Sequence, residues 1–296
     1  MHQIRTDLAM ESWRAQQGAE LPGVSVSTWD AEGASVTEVV IETDAGADLV
    51  GKPVGKYVTL ECPLIAAHDP DAREAAAGLL GEELALMLPE GDGPVLVIGL
   101  GNRMVTPDSL GPKVVDGTLV TRHLYEALPD AVDERMRPVC AIAPGVLGIT
   151  GVETQEIALG IVQHIAPRAV IAIDALAAQS SHRIGTTIQL TDSGIQPGSG
   201  VGNRRKAITC ETMGAPVIAI GVPTVVDAGT LVADLTEQAG RTGIRAEDFE
   251  RFGGGMVVTP KEIDKNVSDI AKLVGYGINM ALHPGITVED INLFIS

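Results

Sequence analysis

Four short runs with no polar residue constrain this chain most: Val95-Leu-Val-Ile98, Val139-Cys-Ala-Ile142, Ala169-Val-Ile-Ala-Ile173 and Val217-Ile-Ala-Ile220. A strand with one wet face alternates apolar and polar residues, so unbroken apolar runs of this length read as strands buried on both faces. Helical stretches fall between them, over Ser109–Leu128 and Glu153–Ile165. Strand–helix alternation predicts an α/β fold with a mostly parallel sheet covered by helices on both faces. A last helix over Lys261–Leu282 carries Ile263, Val267, Ile270, Val274 and Ile278 at three- and four-residue steps, a single apolar stripe.

The part before Pro94 is β-rich, with strands expected at Val24–Trp29, Ser35–Ile41 and Tyr57–Glu61, followed by a helix that Asp69 and Pro70 open and that runs to about Leu88. No repeat or linker divides the chain, so one large domain is expected. Aromatics make up only 3% of the 296 residues, which leaves the core to Val, Ile, Leu and Ala. The longest apolar runs are far shorter than the ~20 residues that span a bilayer, and no signal-peptide pattern opens the chain. A soluble protein kept in the cytoplasm, without a membrane partner, is expected. Three widely spaced cysteines suit a reducing compartment. The net charge of −18 argues against a nucleic-acid partner.

In parallel α/β sheets ligands bind beyond the carboxyl ends of the strands, which points to the loops after the buried runs. Two of these carry acids. Asp108 closes Gly99-Leu-Gly-Asn-Arg-Met-Val-Thr-Pro-Asp108, and Asp174 directly follows Ile173. Asp108 could equally cap the helix that follows it. Asp174 has apolar neighbours on both sides, where a carboxylate needs a partner or a task. Were the two strands adjacent, repulsion and desolvation would raise the pKa of one acid. One could then hold a proton while the other takes one from water. Asp227 follows another buried run and reads as a cap before a site residue.

Other motifs carry less. Gly99-x-Gly101 lacks the third glycine of a dinucleotide loop, because that position is Met104. Pro197–Lys206 has no phosphate-loop spacing, though its glycines with Arg204, Arg205 and Lys206 could hold an anion. No nucleophile elbow is present. Cys140 reads as a packed thiol, and the six histidines show no zinc spacing.

Ordered blocks along nearly the whole chain resemble the germination proteases of spore-forming bacteria. They include Arg5-Thr-Asp-Leu-Ala9, Gly99-Leu-Gly-Asn102, Thr106-Pro-Asp-Ser-Leu-Gly-Pro112 and Pro144-Gly-Val-Leu-Gly-Ile-Thr-Gly151. Ile173-Asp-Ala-Leu-Ala-Ala178, Pro197-Gly-Ser-Gly-Val-Gly-Asn203, Gly221-Val-Pro-Thr-Val-Val-Asp227 and Val258-Thr-Pro-Lys-Glu-Ile-Asp264 continue the match. The resemblance implies an endopeptidase of aspartic type that degrades small acid-soluble spore proteins when germination begins, with a fold similar to hydrogenase maturation peptidases. It implies Asp108 and Asp174 as the catalytic acids, a homotetramer located in the spore core, and no cofactor or metal. It also implies a zymogen that cuts itself before an apolar residue and after an acidic one. Thr6-Asp7-Leu8-Ala9 is similar to such a site, giving a propeptide of residues 1–7, a cut between Asp7 and Leu8, and a peptidase domain of residues 8–296. Arg204, Arg205 or Lys206 would pair with the acid that precedes the cut. Two other readings stand beside this one: a metal-assisted peptidase with His182 as a further ligand, and a non-catalytic binder of spore proteins.

Overall fold

The computed structural model describes residues 6–16, 20–31, 33–67, 69–128, 130, 132–133, 135–198, 205–240 and 255–295. Among them, nine strands build one mixed sheet: β1 (Val24–Ala31), β2 (Ala34–Ile41), β3 (Gly55–Glu61), β4 (Val95–Gly99), β5 (Val139–Ile142), β6 (Ala169–Ala178), β7 (Thr187–Thr191), β8 (Val217–Asp227) and β9 (Val257–Val258). Their order is β1-β2-β3-β7-β8-β6-β4-β5, with β9 paired to β8.

The four apolar runs form the parallel part, β8-β6-β4-β5, as their pattern predicts. The rest of the sheet is antiparallel, from β1 through β2 and β3 to β7, which pairs antiparallel with both β3 and β8. The sheet is therefore less parallel than the apolar runs suggest. The hairpin that closes between Ala31 and Ala34 leaves too little chain for a crossover, and a tight connection permits only antiparallel pairing.

Each face of the sheet has its own helical cover. Val97, Ile171, Ile173, Ile188, Leu190 and Ile220 share a core with Leu80 and Leu84 of the helix Pro70–Met87 and with Val267, Ile270, Val274 and Ile278 of the helix Ile263–Leu282. On the other face Leu96, Ile98, Val170 and Ala172 pack against Ala158 and Val162 of the helix Thr154–Ile165. Each of the Val, Leu and Ile side chains contributes roughly 1.5–3 kcal/mol by leaving water. Asp69 caps the first of these helices, its carboxylate accepting from the Asp71 N–H at 3.0 Å, with Pro70 in the first turn.

The helix expected over Ser109–Leu128 is broken into Leu110–Asp116 and Arg122–Ala127. The break is held from outside. Asn279, on the long helix, accepts the Leu119 N–H at 2.9 Å and donates to the Gly117 carbonyl at 2.8 Å. The Thr121 N–H goes to Val139 of β5 at 3.1 Å. These bonds to other elements replace the helical ladder. Among the described residues no helix is long and apolar enough to cross a membrane.

Candidate active site

The site begins where one strand stops and its neighbour continues. β4 ends at Gly99, paired with Ile173 of β6. Leu100 adds one further bond, its N–H reaching the Ile173 carbonyl at 2.8 Å. Asp174 is thus the first residue of β6 beyond the reach of β4, and the loop from Leu100 passes across that point. The loop folds tightly on itself at Gly101 (φ 107°), where an added β-carbon would lie 2.1 Å from the Asp108 carbonyl oxygen. It comes back as a 3-10 turn, Thr106–Asp108.

Asp108 does not cap the following helix. Ser109 holds that position, and its side chain makes no cap bond. The Asp108 carboxylate reaches back into the loop instead and accepts the Asn102 N–H at 2.8 Å. Asp174 is not at a strand end, as the close of the apolar run at Ile173 suggested: β6 runs four residues further, to Ala178. It is 5% exposed, and its carboxylate accepts the Ala175 N–H at 2.9 Å. Across the sheet Asp174 pairs with Gly221 of β8.

The electrostatics follow from this burial. Desolvation pushes the Asp174 carboxyl well above the usual carboxylate range, and the charges of Asp108 and Asp7 push it further, against one backbone N–H that lowers it. Asp108 is raised as well, by burial, with the Asn102 N–H opposing. The adjacency of β4 and β6, on which any cooperation depends, is therefore realised, and the charge of Asp108 acts on Asp174.

The N-terminal segment is docked against the same part of the sheet. The Asp7 N–H bonds to the Ala177 carbonyl at 2.9 Å, and the Asp7 carboxylate accepts the Ala177 N–H at 2.9 Å. Leu8 is fully buried among Leu176, Ala178, Ile184 and Val226. A short helix, Ala9–Arg14, follows, and it brings Glu11 into the interior. The Glu11 carboxylate accepts from the N–H groups of Gln179 (2.8 Å) and Ser180 (3.2 Å) and from Arg183 (3.3 Å), and it meets the Thr6 hydroxyl. Lys52 donates to the Thr6 carbonyl at 2.9 Å. Burial lowers the Lys52 pKa against the raising fields of Asp7 and Glu11.

The remaining candidates are elsewhere. Arg204 lies outside the described residues. Lys206 is exposed and bonded to Glu156 at 2.6 Å, and the Arg205 N–H bonds to the Pro197 carbonyl. Asp227 accepts from the N–H and hydroxyl of Thr230, as a helix cap does. His182 is exposed on the turn Ser181–Arg183. Among the described residues no group of three or more His, Cys, Asp or Glu is placed to hold a metal. Reading the sequence alone missed Glu11, Lys52, Arg183 and Gln189. The last of these sits on β7, whose alternation Thr-Ile-Gln-Leu-Thr between Gly185 and Asp192 was the available signal.

The profile of a family described as germination protease matches residues 2–239 and 231–295. The germination protease of Caldanaerobacter subterraneus subsp. tengcongensis is 45% identical, over 98% of this chain and 97% of its own. That of Clostridium perfringens (strain ATCC 13124) is 41% identical over the whole of both chains. That of Priestia megaterium is 38% identical, over 99% of this chain and 97% of its own.

Proposed function

The chain belongs to the germination protease family and is a peptidase of spore germination, and from that premise we propose that it is an aspartic-type endopeptidase acting through Asp108 and Asp174. The observation that carries this reading is the field of Asp108 on a buried Asp174, two acids carried by neighbouring strands where β4 stops and β6 continues. Like charges in one desolvated place cannot both ionise at low cost. Asp174, the deeper of the two, holds the proton. Asp108 takes a proton from the attacking water, and Asp174 then delivers its own to the leaving amine. Loop N–H groups near the acids stabilise the oxyanion as it develops.

The seated N-terminal segment supports a zymogen reading. In it Asp7–Leu8 is the bond that the protein cuts in itself, residues 1–7 being the propeptide. An acid whose carboxylate rests on the Ala177 N–H followed by an apolar side chain in the Leu8 pocket is the pattern that a cut after an acid and before an apolar residue needs. The substrates are small acid-soluble spore proteins, the location is the spore core and the assembly is a homotetramer. In this reading the acid before the cut is held by the strand backbone, and the loop of Arg204, Arg205 and Lys206 adds long-range attraction for it.

The test compares Asp108→Asn, Asp174→Asn and Cys140→Ala on a small acid-soluble spore protein. Each Asn variant should lose about 10²–10⁴-fold in kcat, the range for a general acid or base, while Cys140→Ala keeps its activity. Full activity in either Asn variant would falsify the two-acid mechanism.

A further inference from the structure

Gln189 is buried, 5% exposed, and both ends of its amide are committed to the backbone of the N-terminal segment. Its Oε1 accepts the Ala9 N–H at 2.7 Å, and its Nε2 donates to the Asp7 carbonyl at 3.3 Å. The orientation of the amide is fixed by chemistry: a backbone N–H can only donate, so the atom facing Ala9 is the oxygen. One side chain therefore brackets Leu8, gripping the carbonyl before it and the N–H after it. Neither contact depends on a side chain of the segment.

Register places Gln189 in line with the acids. Asp174 pairs with Gly221, and Gly221 pairs with Gln189 on its other side. Residues paired across a sheet project to the same face, so Asp174 and Gln189 flank β8 on one face. The residue between them has no side chain. A β-carbon on Gly221 would lie 2.3 Å from Leu176 Cδ1, the side chain that floors the Leu8 pocket. Asp7 spans this arrangement, its N–H and carboxylate on Ala177 of β6 and its carbonyl on Gln189 of β7.

We propose that Gln189 is the backbone-binding residue of the peptidase, its Nε2 polarising the carbonyl of the bond to be cut and its Oε1 holding the N–H two residues further along the substrate. This rests on reading Asp7–Leu8 as a seated scissile bond. A donor already in place on the carbonyl is positioned to strengthen its bond as negative charge grows on that oxygen. The N–H arm acts in the ground state and sets which peptide bond lies under the acids.

The experiment uses the full chain as wild type, Gln189→Glu and Gln189→Leu. The substrate is a synthetic peptide of the sequence of residues 5–14, cleaved in trans and read by mass spectrometry, with kcat and KM determined separately. A second peptide carries an ester in place of the Leu8–Ala9 amide, which removes the N–H that Oε1 would accept and leaves every side chain unchanged. The wild type should cut the Asp–Leu bond of both peptides, the ester raising KM about tenfold, the worth of one hydrogen bond. Gln189→Glu keeps the acceptor and, with its carboxyl ionised, loses the donor, so its kcat is read across pH. It should show the same ester penalty but a kcat lower by about 10²–10³-fold, as removal of one oxyanion donor does. Gln189→Leu should lose kcat and the ester penalty together. A loss of packing alone would not produce that split, and thermal unfolding confirms that each variant is folded. Wild-type kcat in both variants, or an ester penalty undiminished in Gln189→Leu, overturns the assignment while leaving the two-acid reading intact. A wild-type cut at any other bond overturns the seated-bond reading and the assignment with it.

Discussion

Gly99 and Gly111 meet backbone to backbone: a β-carbon on Gly99 would lie 2.2 Å from the Gly111 carbonyl oxygen, and one on Gly111 would lie 2.3 Å from the Leu100 carbonyl oxygen. Gly111 also faces the Ile173 carbonyl, 2.7 Å from such a β-carbon. The end of β4, the start of the helix Leu110–Asp116 and the residue before Asp174 thus close on a point where no side chain fits. That closure sets how near the Asp108 turn comes to Asp174. Gly111→Ala should cost roughly 1–3 kcal/mol, the range of overpacking in a core, and should lower peptidase activity by more than the lost stability explains at a temperature where the variant stays folded. Thermal unfolding and kcat on a spore protein check both parts. A variant with wild-type kcat would show that this crossing is unimportant for the acids.

The raised pKa of Asp174 makes a stability prediction with a definite sign. In the unfolded chain the carboxyl titrates near its ordinary 3.8, and in the folded chain well above it. Between those values the native state binds more protons than the unfolded state, so stability falls as pH rises through the window. Asp108, raised in the same direction, adds to the slope. Asp174→Asn cannot ionise. It should raise the Tm relative to wild type at pH 7 to 8, with the gain shrinking toward pH 4. A Tm difference that does not change with pH would sink the burial argument.

His283 predicts the opposite sign. It is fully buried, its Nδ1 accepts the Arg137 N–H at 3.1 Å, and burial lowers its pKa from 6.5 to about 4. The unfolded chain therefore binds the extra proton between those values, and stability is lost as pH falls through them. The contribution present at neutral pH is roughly 3 kcal/mol. His283→Gln, which keeps an acceptor for Arg137, should be less stable than wild type at pH 7 and should lose less on acidification to pH 4. Unfolding midpoints in denaturant at the two pH values measure this, and equal losses in both proteins would count against it.

The sequence showed the parallel half of the sheet better than the antiparallel half, for a physical reason. Strands buried on both faces, such as Val95–Gly99, contain nothing but apolar residues and glycine, and few other elements this short produce that pattern. β7 alternates Ile188 and Leu190, turned to the core, with Thr187, Gln189 and Thr191, and five such residues resemble a loop as much as a strand. The joint between the two halves, and Gln189 with it, therefore rested on that weak alternation alone. The acids were legible as types and not as geometry. Asp174 interrupts an apolar run, and so the strand reads as finished there, whereas β8 and the N-terminal segment bury the continuation Ala175–Ala178. The N-terminal anchor could not be read at all, because Glu11 and Arg183 are ordinary surface types until the fold brings residues 172 positions apart together.

That anchor supplies the last prediction. Glu11 is 3% exposed, and its carboxylate answers two backbone N–H groups and the Arg183 guanidinium, which also pairs with Glu61 at 3.0 Å. Removing the Glu11 carboxylate leaves Arg183 with Glu61 as a partner but takes the acceptor from the Gln179 and Ser180 N–H groups. Glu11→Ala should therefore cost roughly 1–3 kcal/mol, the range for buried donors left unanswered, while Glu11→Gln, which keeps one acceptor for the loop N–H groups, should cost less. The loss should appear first in the segment itself, because Glu11 ties the helix Ala9–Arg14 to the loop after β6. Limited trypsin digestion should cut after Arg14 faster in Glu11→Ala than in wild type, at a temperature where both are folded. A Tm within about 1 °C of wild type, less than the shift from 1 kcal/mol in a domain of this size, together with unchanged digestion, would show that Glu11 is not the anchor.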